Sequence, residues 1–148
     1  MLRLSNLADY AVVAMVRLAE SETRVSAAAL AADTGIPAPT AAKLTVLLAR
    51  AGLLASARGA LGGVSLSRPP GAIRLTEIVE AVDGPIGLTQ CLHEGADDCA
   101  IGSQCRMKPH WTLINRKVRG ALSDVSLADL AQLPAPVTAH ESRLKEPA

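Results

Sequence analysis

All three cysteines of the chain, Cys91, Cys99 and Cys105, lie in one polar stretch over residues 89–108, TQCLHEGADDCAIGSQCRMK. A segment this rich in Gly, Asp, Gln and Ser has too little apolar surface to become ordered by burial alone. Three thiols along it can converge on one soft metal centre, whose binding then supplies the ordering free energy. The odd cysteine count, and the lack of a signal peptide at the start, disfavour a disulfide framework and predict a reducing, cytoplasmic setting.

The spacing C-x7-C-x5-C favours an iron–sulfur cluster as that centre. Zinc sites usually contain paired C-x2-4-C knuckles. The larger body of an iron–sulfur cluster suits longer, uneven spacings, and its irons prefer thiolate. Zinc, or three thiols without a ligand, remain the alternatives on spacing and ligand type alone.

No motif in the sequence predicts catalysis. The sequence contains no phosphate-binding loop, nucleophile elbow or paired carboxylates. Its histidines, His93, His110 and His140, have no Cys or Ser placed to form a nucleophilic pair. We therefore predict that the chain is not an enzyme and takes no small-molecule substrate.

Composition favours a mainly helical protein. The chain has no Phe, one Trp and one Tyr, so it has few aromatic side chains on which unpaired bases could stack.

No apolar run is long enough to span a membrane, and no membrane partner is expected. Residues 1–70 contain seven Lys/Arg and four Asp/Glu, a formal net charge of +3. Residues 71–148 contain eight Lys/Arg and ten Asp/Glu, a formal net charge of −2. Any DNA contact is therefore expected in the first half.

The elements that would position these groups begin with a helix predicted over residues 5–20. Ser5 or Asn6 can cap it. Asp9 falls in its first turn, where a carboxylate interacts favourably with the positive end of the helix dipole.

Two further helices, over residues 26–35 and 38–52, predict a helix-turn-helix. Ser26 is a capping residue and Gly35 a stop signal, and the second helix tolerates Pro39 in its first turn. In this motif the N-terminal residues of the second helix enter the major groove, and here the outward-facing ones are Pro39, Thr40 and Lys43. A plain αα-hairpin in a bundle is the alternative.

A glycine-rich turn at residues 58–63 separates two short strand candidates, residues 53–54 and 64–66. A hairpin directly after a recognition helix is the wing of a winged helix. Arg58 lies in its turn, where a guanidinium can bind the negative potential of the minor groove.

The chain after residue 70 is predicted to hold the cysteine segment between two helices. Thr76 is expected to cap a short helix over residues 77–82, and Pro109 opens a longer one with an apolar stripe. We expect that stripe, which lies outside the winged helix, to be a dimer interface rather than core. Ser126 and Asp129 form a capping box, and residues 134–148 read as a flexible tail.

These motifs resemble the IscR/Rrf-two family of bacterial winged-helix iron–sulfur regulators. The matching text covers residues 1–133 in the family's order: LADYAVVAM, TGIPAPTAAKL, LLARAGL, RGALGGVSL, LTEIVEAVDGPI and the three-cysteine loop. The most similar subgroup regulates the SUF iron–sulfur assembly operon.

The resemblance implies a mainly α fold with a small β-wing. Residues 1–70 would form the winged helix-turn-helix, and residues 71–133 the cluster-binding loop and dimerisation helices, with the long helix from Pro109 as the seam of a homodimer. It places the DNA-reading helix at residues 39–50, which ends at Arg50, and puts Arg58 and Gly59 in the wing.

The resemblance also implies that Cys91, Cys99 and Cys105 bind one cluster per subunit, with [2Fe-2S] favoured and [4Fe-4S] possible. Some members supply a histidine three residues after the last cysteine, but Lys108 occupies that position here, and a protonated lysine cannot be a ligand. Others use an acid in the first helix, which would make Asp9 a ligand across the dimer. His93, His110 or a small exogenous ligand are the alternatives.

The predicted function is a homodimeric repressor that binds a double-stranded DNA operator with an affinity controlled by the cluster. Its targets would be SUF or iron-homeostasis genes. The alternatives are a zinc-stabilised or cluster-free winged-helix repressor that senses nitric oxide, redox state or another signal, and an iron–sulfur electron carrier or scaffold without DNA.

Overall fold

The fold is mainly helical with one small β-hairpin, as the sequence predicts. The computed structural model describes residues 3–92 and 99–132. The first three helices are α1 (Asn6–Ala19), α2 (Ala27–Thr34) and α3 (Ala38–Arg50), followed by strands β1 (Leu54–Ala57) and β2 (Gly63–Leu66). After the hairpin, the described residues form helices α4 (Leu75–Asp83), α5 (Lys108–Ser123) and α6 (Leu127–Gln132).

Local side-chain caps fix where several helices begin. The Ser5 hydroxyl accepts a hydrogen bond from the Ala8 amide at 3.0 Å, and the Ser26 hydroxyl accepts one from the Ala29 amide at 3.1 Å. These bonds satisfy amides that have no partner inside their own helix. The predicted caps of α1 and α2 are therefore confirmed.

The predicted cap of α4 is wrong. The helix begins at Leu75 with Arg74 as its N-cap, so Thr76 is its second residue rather than its cap and is buried at 2% exposure. The reason is non-local. The Leu75 amide donates to the Val125 carbonyl, and the Leu127 amide donates to the Ile73 carbonyl, both at 2.9 Å. This pairing places the chain before α4 beside the start of α6 and fixes the first turn of α4.

The core is a single cluster of small and aliphatic side chains. Ala11, Ala14, Met15 and Leu18 of α1 pack with Leu30, Leu44 and Leu48 of the next two helices and with Val64 of the hairpin. The cluster continues beyond residue 70, because Ile73, Ile78 and Leu127 are fully buried within it. Close packing of such side chains makes the helices move together rather than independently.

Helix α5 differs from the others. All 16 of its residues are described, and none of them is buried, while Leu113 and Ile114 are 45% and 38% exposed.

No helix in residues 3–92 or 99–132 is both long enough and apolar enough to cross a membrane.

Candidate nucleic-acid interface and cysteine segment

Helix α3 presents its predicted DNA-facing residues on the side away from the core. Ala41, Leu44 and Leu48 are buried against the core, so the helical period turns the opposite face outward. Pro39, Lys43 and Arg50 are exposed on α3, and Thr40 is half-buried.

The wing is a β-hairpin that is paired with Val25 near its turn. Strands β1 and β2 pair in antiparallel register from Leu54 opposite Leu66 to Ala57 opposite Gly63. Val64 is also paired with Val25, the residue before the cap of α2, through two backbone hydrogen bonds of 2.9 Å. The turn end of strand β2 is therefore attached to the residue that precedes the cap of α2.

The predicted DNA-binding residues of the wing lie in its exposed turn. Arg58 and Gly59 are exposed there, and Leu61 is 92% exposed. The turn is closed by the Gly62 amide, which donates to the Gly59 carbonyl at 2.9 Å.

Arg24 is a cation that the sequence reasoning missed. It is exposed and lines a groove of about 710 Å³ together with Leu61 and Gly62 of the wing. Arg17 lines the same groove but pairs with Asp33 at 2.7 Å. Within the described part of the chain, no carboxylate lies within 4.0 Å of Arg24. In the sequence, the one indication of such a residue is the net positive charge of residues 1–70, which does not distinguish Arg24 from the other arginines.

Lys43, Arg50 and Arg58, like Arg24, have no carboxylate of the described residues within 4.0 Å. Among residues 3–92 and 99–132, the ion pairs are those of Arg17, Arg68 and Arg119. The recognition helix and the wing thus present cations that are not neutralised by a neighbouring carboxylate, which is the charge pattern that phosphate binding requires.

The cysteine segment is described at residues 89–92 and 99–107. Cys91 lies in a short 3-10 turn, Gln90–Leu92, with its Sγ 3.1 Å from the Thr89 hydroxyl. The Cys99 carbonyl accepts a hydrogen bond of 2.8 Å from the Gly102 amide, and Cys105 follows the turn Gly102–Gln104. All three are free thiols and half-buried.

The donor set suits a soft metal centre, because each thiol is free and partly accessible. It is not assembled in this structure. Within the described residues, no group of three or more His, Cys, Asp or Glu side chains lies close enough to hold a metal ion. Asp9 is exposed in the first turn of α1, His110 is exposed in the first turn of α5, and His93 lies outside the described residues.

A cluster of polar side chains that the sequence reasoning missed joins the residues just before this segment to α4 and α5. Glu80 of α4 binds Arg119 of α5 through two hydrogen bonds, of 2.8 and 2.9 Å. The hydrogen bond from Arg119 lowers the pKa of Glu80, and it outweighs the effect of partial burial. Asn115, one turn before Arg119, bonds the backbone of Ile86 and Leu88. These partners are 27 to 39 residues apart, so local sequence patterns do not reveal them.

An apolar cavity of about 450 Å³ lies beside this cluster. Its walls come from the start of the chain, from α4 and α5, and from the segment that joins α4 to Cys91. The apolar side chains that line it include Leu4, Val79, Ile86, Leu88, Val118 and Leu122.

The protein-family model of the Rrf2 family, described as "Iron-dependent Transcriptional regulator", matches residues 4–133. The chain belongs to the Rrf2 family. It is 32% identical to the HTH-type transcriptional regulator IscR of Xenorhabdus nematophila over 133 residues, which cover 88% of this chain and 80% of that one. It is 34% identical to a putative HTH-type transcriptional regulator, ORF2, of Azotobacter vinelandii, over 87% of this chain and 79% of the relative.

Two solved structures show the same fold. CymR of Bacillus subtilis, a global cysteine regulator, has a TM-score of 0.70 and 28% identity, with 91% of this chain and all of that one covered. IscR of T. potens has a TM-score of 0.65 and 28% identity, with 90% and 93% covered. The Rrf2 protein described here is therefore a winged-helix, DNA-binding transcriptional regulator, and its relatives confirm that it is not an enzyme.

Proposed function

We propose that this Rrf2 protein is a homodimeric repressor whose affinity for its operator is set by an iron–sulfur cluster bound at Cys91, Cys99 and Cys105. The observation that carries the proposal is the cysteine segment itself. Every thiol of the chain lies there, free and half-buried, and Cys105 lies three residues before α5 begins. The family is described as one of iron-dependent regulators. The proposed targets are iron–sulfur assembly genes of the SUF type or other iron-homeostasis genes.

The proposed DNA contacts follow from the unpaired cations. Thr40 and Lys43 would make base or phosphate contacts from the start of α3, and Arg50 would contact phosphate near its end. Arg58 would enter the minor groove from the wing turn, where Gly59 lets the backbone approach closely. A two-fold dimer should bind a pseudo-palindrome whose half-sites lie about one helical turn, or a multiple of it, apart.

The proposed dimer seam is α5. A 16-residue helix without a buried residue has an apolar stripe that one copy of the chain leaves uncovered. The 450 Å³ cavity adjoins that stripe through Val118, Ala121 and Leu122. A second copy that packs along α5 would cover both, and covering apolar area is the main favourable term in association.

In the proposed loaded state, the three cysteine thiolates would hold the cluster, and Asp9 of the other subunit is the proposed fourth ligand. A [2Fe-2S] cluster is favoured and [4Fe-4S] is the alternative. When bound, the cluster supplies several strong iron–thiolate bonds that are sensitive to iron supply and to oxidants. The segment would be ordered by that binding, since it has too few apolar side chains to be ordered by burial alone.

The test is anaerobic reconstitution with iron and sulfide, followed by visible absorption and Mössbauer spectroscopy. We expect a brown protein, a colourless Cys99→Ala variant, and a brown Ser103→Ala control, which changes the same segment without removing a thiol. A Cys99→Ala variant that keeps the chromophore would remove Cys99 from the ligand set. DNA footprinting in the loaded and iron-stripped states then tests control. Equal occupancy of every site in both states would leave only a DNA binder without a sensor.

A second candidate function is a cluster-free thiol sensor. It is favoured by one observation, that all three cysteines are free, half-buried thiols. A protein that remains colourless after reconstitution, contains no zinc and forms a disulfide with mild oxidant would support this candidate. Zinc without colour would instead indicate a zinc-stabilised repressor, because zinc is d10 and has no visible absorption.

A further inference from the structure

Asn115 fixes the chain that leads from α4 to the first cysteine. Its side-chain amide donates to the Ile86 carbonyl at 2.9 Å, and its carbonyl oxygen accepts from the Leu88 amide at 3.1 Å. The two bonds bind alternate residues, Ile86 and Leu88, of one irregular segment. Cys91 lies only three residues beyond Leu88.

Glu80 and Arg119 complete the same arrangement. The Ile86 amide donates to Glu80 Oε1 at 3.3 Å, and Arg119 holds both oxygens of that carboxylate. Arg119 is one turn after Asn115 and lies on the same face of α5. Three backbone polar groups of an irregular segment are thus satisfied by side chains of the two helices beside it.

The residue type at position 115 supports a specific role. Asparagine is a poor residue for the interior of a helix, because its side chain competes for backbone hydrogen bonds. Asn115 nevertheless lies in the middle of α5, half-buried, with both halves of its amide bonded to the segment outside the helix.

The contacts of Glu80, Asn115 and Arg119 lie between the cysteine segment and the recognition helix α3. Cys91 and Cys105 lie at the two ends of the cysteine segment, one just after the part held by Asn115 and the other just before α5. The turn that contains Cys91 lies against α5. Helix α4, which carries Glu80, packs directly on α1 and α3.

We propose that Asn115 is a positioning residue, which sets where Cys91 lies relative to Cys105 and couples the state of the cysteine segment to α4 and through it to α3. This role presupposes cluster binding by the cysteines. It adds a residue that touches neither the cluster nor DNA but through which cluster binding changes DNA affinity. Coupling of this kind requires that the loaded and stripped forms differ in free energy at the connecting element.

The first test uses the iron-stripped protein. Hydrogen–deuterium exchange at residues 86–92 is compared in the parent chain, Asn115→Ala and Thr112→Ala. Thr112 is the matched control, because it is one turn away and its hydroxyl bonds only the Lys108 carbonyl of the same helix. We expect exchange of the Leu88 amide to rise about fivefold in Asn115→Ala, the factor that one lost hydrogen bond implies. Equal exchange in all three proteins would overturn the proposal.

The second test measures the ratio of DNA affinities in the loaded and stripped states. Asn115→Ala should bring that ratio close to one, whereas Thr112→Ala should keep the parent's ratio. Asn115→Asp retains an acceptor for the Leu88 amide but no donor for Ile86, and it should fall between them. A merely structural role would lower the melting temperature and leave the ratio unchanged, which would refute coupling. A parent protein that binds no iron would refute the proposed function instead, while the exchange result would still test the contact.

Discussion

Replacement of Gly63 by alanine is expected to detach the wing from the helix-turn-helix. Gly63 has a φ of +135°, a backbone angle that residues with a side chain rarely adopt. A Cβ added at this position would lie 2.7 Å from the Val25 carbonyl oxygen. That distance is too short for any real contact, so the backbone must separate. The separation breaks the two hydrogen bonds between Val25 and Val64.

Gly59 provides the matched comparison. It also has a positive φ, of +104°, but an added Cβ would meet nothing within 4 Å. Gly59→Ala should therefore cost only the conformational strain, about 1–3 kcal/mol. Gly63→Ala should cost the same strain plus two hydrogen bonds at about 1 kcal/mol each. The expected difference between the two variants is therefore about 2 kcal/mol.

The assay is urea unfolding followed by circular dichroism. With a slope of about 1–3 kcal/mol per molar urea, the midpoint of Gly63→Ala should lie roughly 1 M below that of Gly59→Ala. At a temperature where Gly63→Ala remains folded, its DNA affinity should also fall, because the turn that carries Arg58 has lost its anchor. Equal midpoints for the two variants would show that the contact between the wing and Val25 contributes nothing, and the reasoning would be wrong.

Two further outcomes are expected. Arg24→Ala and Arg58→Ala should each reduce the slope of log affinity against log salt by about 1, because each would remove one unpaired cation from the surface proposed to face the DNA phosphates. The loss for Arg58→Ala should be greatest at A·T-rich flanks, and a slope equal to the parent's would exclude either contact. The pKa of Glu80 is lowered by its hydrogen bond from Arg119, so its contribution to stability is present above the ordinary value of 4.5 and is lost as the pH falls through the folded-state value. Glu80→Gln should therefore make the free energy of unfolding less dependent on pH below about 4.5, and acid titrations of unfolding that coincide for the two proteins would contradict this.

The sequence predicted those features that depend on neighbours three or four residues apart. The caps of α1 and α2 and the Ser126–Asp129 capping box were all predicted, and the last is confirmed by bonds of 2.8 and 3.1 Å between Ser126 and Asp129. The hairpin was predicted for a similar reason, since its turn and its strands are consecutive.

What the sequence could not supply are contacts between distant segments. The start of α4 was predicted wrongly because pairing with the chain before α6 determines it. Asn115 carries no local signal, because its partners are 27 and 29 residues away and are backbone groups of an irregular segment. The cysteines were found from residue type alone, and their ligand role stays a prediction.

The packing restricts how the proposed sensor could work. Helices α1 to α4, the hairpin and α6 share one closed core, so a change at the cysteines has little room to alter the winged helix internally. Helix α5 is different, because none of its residues is buried or belongs to that core, and the Glu80–Arg119 pair is one of its contacts with α4. We therefore expect cluster binding to change the orientation of α5 against α4. In a dimer joined along α5, that rotation would alter the distance between two otherwise unchanged recognition helices, and an operator with fixed half-site spacing would bind the two states unequally.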